Sequence, residues 1–243
     1  MFGDIRNTSG EKIDYSFHDG NSESKNLVIL GHGVTGNKDR PFLVALANGL
    51  ASAGISTLRI SFSGNGDSEG SFTDSNISKE VADLGCVIDR FPDNTITYIG
   101  HSMGGAVGAI RASQDSQIKF LVSLAGIVNT KQFAETEFGM VTPDQGNMWE
   151  DEDCPLSSTY MNDLKSIEST VPCASKITIP WLLIHGTEDD VVPIQDSKDI
   201  LSAAGDLATL LELPGANHVF AEEHTAPLVN ATVEWIKTQH AKA

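Results

Sequence analysis

The stretch from Thr95 to Gly108, TITYIGHSMGGAVG, constrains the fold more than any other part of the chain. A β-rich apolar run leads into Gly100-His101-Ser102-Met103-Gly104, and a run of small residues at helical spacing follows. This order reads as a buried strand, a sharp turn and the start of a helix. A side chain held on so tight a strand-to-helix turn needs a strained backbone, so the residues two places away must lack bulk. Gly100 and Gly104 meet that requirement, and Gly105 and Ala106 let the helix pack close to the sheet. The turn also places Ser102 at a helix N-terminus, where unbonded N–H groups favour negative charge.

The rest of the chain alternates strands with helices around this unit. Residues 11 to 18 read as an antiparallel edge strand, and Asn26 to Leu30 (NLVIL) as a strand covered on both faces. A helix is expected over 41 to 53, with Pro41 in its first turn and Gly54 as its stop. Ser56 to Ile60, Phe120 to Ala125, Pro180 to Ile184 and Leu207 to Leu213 read as further strands. Helices are expected over Ile77 to Phe91, Ile194 to Ala204 and Ala226 to Gln239, the last with Trp235 and Ile236 facing inward. This alternation implies an α/β fold with a mostly parallel sheet and helices on both faces, whose site lies outside the carboxyl ends of the strands. The loops after Leu30, Ile60, Ile99, Ile184 and Leu213 all fall there.

The pattern breaks between residues 127 and 176. The segment is too long for an ordinary loop, and its scattered Phe133, Phe138, Met148, Trp149, Tyr160 and Met161 favour an inserted cap. The expected organisation is therefore a core of residues 1–126 and 177–243 with a cap or lid of 127–176. Trp149 and Tyr160 are candidate substrate contacts, as readily as cap core.

The formal net charge of −17 argues against nucleic acid or an anionic membrane as partner. The chain starts without a basic-then-apolar leader, and its three cysteines show no metal-like spacing. Reduced thiols in the cytoplasm, no cofactor, no metal and a small-molecule ligand are expected, with a homodimer left open. The loop SGNGDSEG is no dinucleotide fingerprint, because Glu69 stands where a third glycine is needed.

A serine hydroxyl is a weak nucleophile and needs a base, usually histidine, oriented by a carboxylate. His218 follows the last strand in GANHVF, and Glu188, Asp189 and Asp190 follow the strand before it in HGTEDDVVP. Spacing alone does not separate the three acids. His32, His101 and His185 read as packing and hydrogen-bonding residues, and Glu150 to Asp153 as a solvated face.

From about Asn26 to Gln239, the cap excepted, the chain resembles the small α/β-hydrolases of the serine carboxylesterase type. It is most similar to the cinnamoyl/feruloyl esterases and to monoacylglycerol-lipase and serine-aminopeptidase-like hydrolases. The resemblance rests on GHSMGG, HGTEDDVVP, GANHVF and the HGVTGNK loop. It implies Ser102 as nucleophile, His218 as base and Asp189 as its partner, with the backbone amides of Val34 and Met103 as oxyanion hole. The implied activity is hydrolysis of small to medium acyl or aryl esters, without cofactor. Thioester or amide hydrolysis on the same triad, or a binding protein with degenerate catalysis, are the alternatives. In SFSGNGDSEGSF, Ser63 stands where the family usually carries arginine, a change expected to touch packing rather than chemistry.

Overall fold

The computed structural model describes residues 2–21 and 23–242. Two short strands, β1 (Ile5–Arg6) and β2 (Lys12–Ile13), pair antiparallel with each other. Then follow β3 (Tyr15–His18), β4 (Asn26–Gly31), α1 (Pro41–Ser52), β5 (Ser56–Ile60) and α2 (Ile77–Asp89). Next come β6 (Thr95–His101), α3 (Met103–Ala112) and β7 (Ile118–Leu124). The helices α4 (Thr130–Phe138), α5 (Ser158–Ile167) and α6 (Val171–Ala174) precede β8 (Trp181–Gly186). α7 (Ile194–Ala204), β9 (Ala208–Leu213) and α8 (Thr225–His240) complete the order.

The main sheet runs β3-β5-β4-β6-β7-β8-β9. Only its edge strand β3 is antiparallel, pairing with β5; the other pairs are parallel. Alternation along β4 sorts the core into two layers. Leu27 and Ile29 pack with α2, α3 and Ile200 of α7, whereas Val28 and Leu30 pack with α1 and α8. Both faces are covered, which is why the strands read as continuous apolar runs. Ile236 of α8 is fully buried and Trp235 is partly buried against the same layer.

The strand read over 11 to 18 divides between two sheets, Lys12–Ile13 pairing with β1 and Tyr15–His18 with β5, and β7 starts two residues before Phe120. Two further boundaries differ for a local reason. β8 runs beyond Ile184, because His185 and Gly186 keep pairing with Glu212 and Leu213 after the hydrophobic residues end. α2 stops at Asp89, and the Phe91 amide closes a turn onto the Ile88 carbonyl at 2.8 Å.

The excursion between β7 and β8 has its own packing. Phe138 meets Trp149 at 4.9 Å and, edge to face, both Phe133 and Tyr160 at 6.0 Å, ring centre to ring centre. It is also tied to the core. The Asp196 carboxylate on α7 accepts from the Val128 amide at 2.7 Å, the Asn129 amide at 3.1 Å and the Asn129 side chain at 2.9 Å. At the far end Thr170 N–H donates to the Val128 carbonyl at 2.9 Å, and Ser78 at the start of α2 bonds to Asp163 of α5. Asp196 is 6 % exposed, so its removal leaves amides unsatisfied away from water. Asp196→Ala is therefore expected to lower stability by about 2–4 kcal/mol in urea denaturation. A loss under about 0.5 kcal/mol would show that this anchor does not hold the excursion.

Candidate active site

Ser102 sits between β6 and α3 with φ 53° and ψ −119°, a conformation rare for a residue with a side chain. Its surroundings over-determine it. The Ser102 amide donates to the Leu124 carbonyl at 2.9 Å, and its own carbonyl accepts from Gly105 at 2.9 Å and Ile127 at 3.0 Å. A Cβ at Gly100 would lie 2.0 Å from the Gly104 carbonyl oxygen, and one at Gly104 would lie 2.5 Å from that of His32. Tyr98, buried beneath the turn, donates its hydroxyl to the Gly104 carbonyl at 3.1 Å. Met103 is the first residue of α3 and is buried.

The loop after β4 is held from two sides. His32 is fully buried and accepts from the Phe62 amide at Nε2, 3.0 Å away, so its proton is on Nδ1, which donates to the Gly33 carbonyl at 2.8 Å. Burial pushes the His32 imidazole down to about 4, which keeps it neutral. Further along, the buried Arg59 guanidinium donates to the Lys38 carbonyl and to Asp39, and the Lys38 amide donates to Ser61 at 3.1 Å. Gly33 lies so close to the turn that a Cβ there would meet Ser102 Cβ at 2.7 Å. Val34, half-buried, thus follows directly beside Ser102.

The loops after β8 and β9 are stitched together by backbone bonds. Thr187 N–H donates to the Leu213 carbonyl at 3.1 Å and Glu188 N–H to the Ala216 carbonyl at 3.0 Å. This brings Asp189 to His218, Oδ2 to Nδ1 at 2.9 Å. The other oxygen of Asp189 accepts from the amides of Val191 at 2.9 Å and Val192 at 2.8 Å. His185 approaches from behind, its Nε2 lying 3.3 Å from Asp189 and 2.9 Å from the Val192 carbonyl, while Nδ1 and the Ser197 hydroxyl share a hydrogen bond at 2.8 Å. Burial opposes ionisation of Asp189, but the hydrogen bonds from His185, His218 and the Val192 amide hold its carboxyl well below the usual carboxylate range. An ionised carboxylate only accepts, so the Nδ1 proton of His218 points at Asp189. Glu188 and Asp190 are exposed.

His101 supports His218 from the other side. Its Nε2–H donates to the His218 carbonyl at 2.9 Å, and the two rings are 4.7 Å apart. Burial and the neighbouring His218 push the His101 imidazole well down, so it stays neutral.

Ser102 and His218 open on one cavity of about 300 Å³, walled by Val34, Phe42, Val191 and Val219, with Arg40 and Trp149 also lining it. A neighbouring cavity of about 210 Å³ lies across Val191 and is lined by Phe133, Glu137, Asp190 and Asp196, among others. Trp149 donates to Glu137 at 2.8 Å. The structure therefore brings Ser102, His218, Val34 and Trp149 to one cavity, with Asp189 behind His218. Tyr160 is elsewhere: it is 2 % exposed, packed against Phe138, and does not line this cavity. Spacing gave no sign of Arg40, although it directly precedes the proline that starts α1. Among the described residues no cluster of His, Cys, Asp and Glu is placed to hold a metal, and Glu150 to Asp153 are exposed. No described helix is long and apolar enough to cross a membrane.

A strained serine between strand and helix, on a parallel sheet with loops converging at the carboxyl ends, defines a class. The chain belongs to the α/β-hydrolase family, whose model, described as alpha/beta hydrolase fold, matches residues 26–153. Among solved structures, Est1E from Butyrivibrio proteoclasticus with ferulic acid bound is 25% identical, with 98% of this chain and 99% of that one covered and a TM-score of 0.88. A monoacylglycerol lipase from Paleococcus ferrophilus is 20% identical over 92% and 97% of the two chains, with a TM-score of 0.77. Mouse alpha/beta hydrolase domain-containing protein 10 is 17% identical over 98% of each, with a TM-score of 0.81.

The buried His32 yields a pH-dependent expectation. Its imidazole falls to about 4 in the folded chain, against roughly 6.5 unfolded, so acid favours the unfolded state. The contribution is complete above the unfolded value and is lost as pH falls from about 6.5 towards 4. His32→Gln removes the titration along with the hydrogen bonds. The stability gap between wild type and variant is expected to narrow by about 2 kcal/mol between pH 7.5 and pH 5 in urea denaturation. A gap that stays constant or widens would show that His32 titrates normally.

Proposed function

We propose that the protein is a serine carboxylic-ester hydrolase with Ser102, His218 and Asp189 as its triad. The observation that carries this reading is the Asp189–His218 pair at 2.9 Å beside a strained Ser102 on a shared cavity. Ser102 Oγ attacks the ester carbonyl while His218 takes its proton at Nε2. Asp189 keeps the Nδ1 proton in place and stabilises the imidazolium that forms. The amides of Val34 and Met103 bind the oxyanion of the tetrahedral intermediate. His218 then protonates the departing alcohol, leaving an acyl group on Ser102. A water molecule, deprotonated by His218, attacks that acyl carbonyl, and the acid leaves as Ser102 regains its proton. The excursion of residues 127–176 serves as a cap, contributing Trp149 to the wall.

Two comparisons support the substrate class. Est1E holds ferulic acid, an aryl carboxylic acid of the kind such a reaction releases, and the Paleococcus relative is a lipase of monoacylglycerols. The cavity of about 300 Å³ suits a small ester.

Hydrolysis of p-nitrophenyl butyrate tests the assignment. Ser102→Ala is expected to lower turnover by roughly a millionfold with the fold retained, as in comparable triads. Asp189→Asn is expected to cost on the order of 10⁴ through loss of the correct imidazole tautomer, while the exposed Asp190→Asn keeps most activity. A Ser102→Ala variant with near-normal turnover ends the triad reading. Inactivity in Asp190→Asn instead of Asp189→Asn moves the acid by one residue.

A further inference from the structure

The walls of the cavity shared by Ser102 and His218 are mostly apolar. Apart from the imidazoles of His101 and His218, Arg40 is the one ionisable side chain among the described residues that line it. A guanidinium stays charged at any working pH. Composition runs the other way, since the chain has 33 acidic residues and 16 Lys plus Arg, so a charged wall residue chosen at random would be acidic twice as often.

Arg40, itself exposed, is also without an ion pair among the described residues. Arg6, Arg59 and Arg111 each meet a carboxylate, at 2.9, 2.8 and 2.6 Å, and Arg90 donates twice to the Phe2 carbonyl. Among the described residues no carboxylate forms an ion pair with Arg40. Its guanidinium donates one bond, from Nη2 to the Thr35 carbonyl at 3.1 Å. That bond rests the fork against the loop that carries Val34 and uses one of five N–H donors. Across Val191 the sign reverses, because the second cavity presents Glu137, Asp190 and Asp196. A ligand reaching out from Ser102 therefore meets the Arg40 guanidinium on one side and carboxylates on the other.

We infer that Arg40 makes this site selective for esters that carry a second, ionised carboxyl group. The inference rests on the esterase reading. A carboxylate matches the guanidinium fork with two parallel hydrogen bonds, which lysine cannot reproduce. The acidic cavity across Val191 repels the same group, so only one orientation of the substrate is favoured. The net charge of −17 opposes approach of an anion from afar, but that repulsion is screened within about 8 Å at physiological salt, and contact with Arg40 decides binding. The carboxylate can belong to the acyl half, as in the half-ester of a dicarboxylic acid, or to the alcohol half, as in the ester of a hydroxy acid.

The test compares matched pairs in wild type, Arg40→Gln and Arg40→Lys, with hydrolysis followed chromatographically. Monomethyl glutarate against methyl valerate probes the acyl half, and 4-carboxyphenyl butyrate against phenyl butyrate probes the alcohol half. The readout is the ratio of kcat/KM for the anionic ester to that for its neutral partner, which cancels any general disturbance of the loop. In one pair the ratio is expected to fall about fivefold or more in Arg40→Gln, with Arg40→Lys between. In wild type the same ratio is expected to fall as sodium chloride is raised from about 0.15 M, where the long-range repulsion is already screened, to about 1 M, an arm that needs no variant to fold. A ratio unmoved by Arg40→Gln in both pairs, or insensitive to salt in wild type, overturns the inference. Hydrolysis of the neutral esters that is lost in Ser102→Ala keeps the esterase reading intact in that event; no Ser102-dependent hydrolysis of any ester removes both.

Discussion

The backbone of Ser102 is the constraint from which the rest of the site follows. A residue with a side chain at φ 53° and ψ −119° costs on the order of 1–3 kcal/mol, and the chain offsets that with three backbone hydrogen bonds at that single position. Those bonds reach Leu124 at the end of β7, Gly105 in α3 and Ile127 at the start of the excursion. The turn can close only because Gly100 and Gly104 lack side chains, and the close approach of Gly104 to the His32 carbonyl draws the β4 loop against it. One strained residue thus fixes the relation between the β4 loop, the β6 turn and the first residues after β7.

Buried histidines supply the next layer of order, with His32 and His101 held as neutral rings. His32 donates to Gly33 and accepts from Phe62, His101 donates to the His218 carbonyl, and His185 lies behind Asp189. In each ring the nitrogen that bonds a carbonyl must carry a proton, which fixes how the ring is turned. Asp189 gathers two backbone amides and two imidazoles, which offsets the burial of its charge. His218 is thereby held both through its ring and through its own carbonyl.

Local chemistry determines which parts of this arrangement were legible in the sequence. The strand-turn-helix at Ser102 could be read because its glycines and apolar run have no other common use, and the alternation of the remaining elements followed from periodicity. Asp189, with its side chain 1 % exposed between exposed Glu188 and Asp190, could not be separated by spacing, since all three are acids on one loop. Trp149 and Tyr160 looked equivalent as aromatic residues of an excursion. Their difference is one of tertiary packing: Tyr160 lies on the α5 face that meets Phe138, whereas Trp149, at φ 49°, turns out to the cavity wall. The supporting bonds of His32, His101 and His185 join residues far apart in sequence, and Arg40 gains meaning only once the cavity exists.

The central claim is that this geometry makes one serine among many a nucleophile. It is tested most directly by treating the intact protein with a fluorophosphonate and mapping the modified peptide by mass spectrometry. A single adduct on Ser102 is the expected result, formed in wild type and absent from Ser102→Ala. An adduct on a different serine, or none in a protein that is folded and hydrolyses esters, would contradict it.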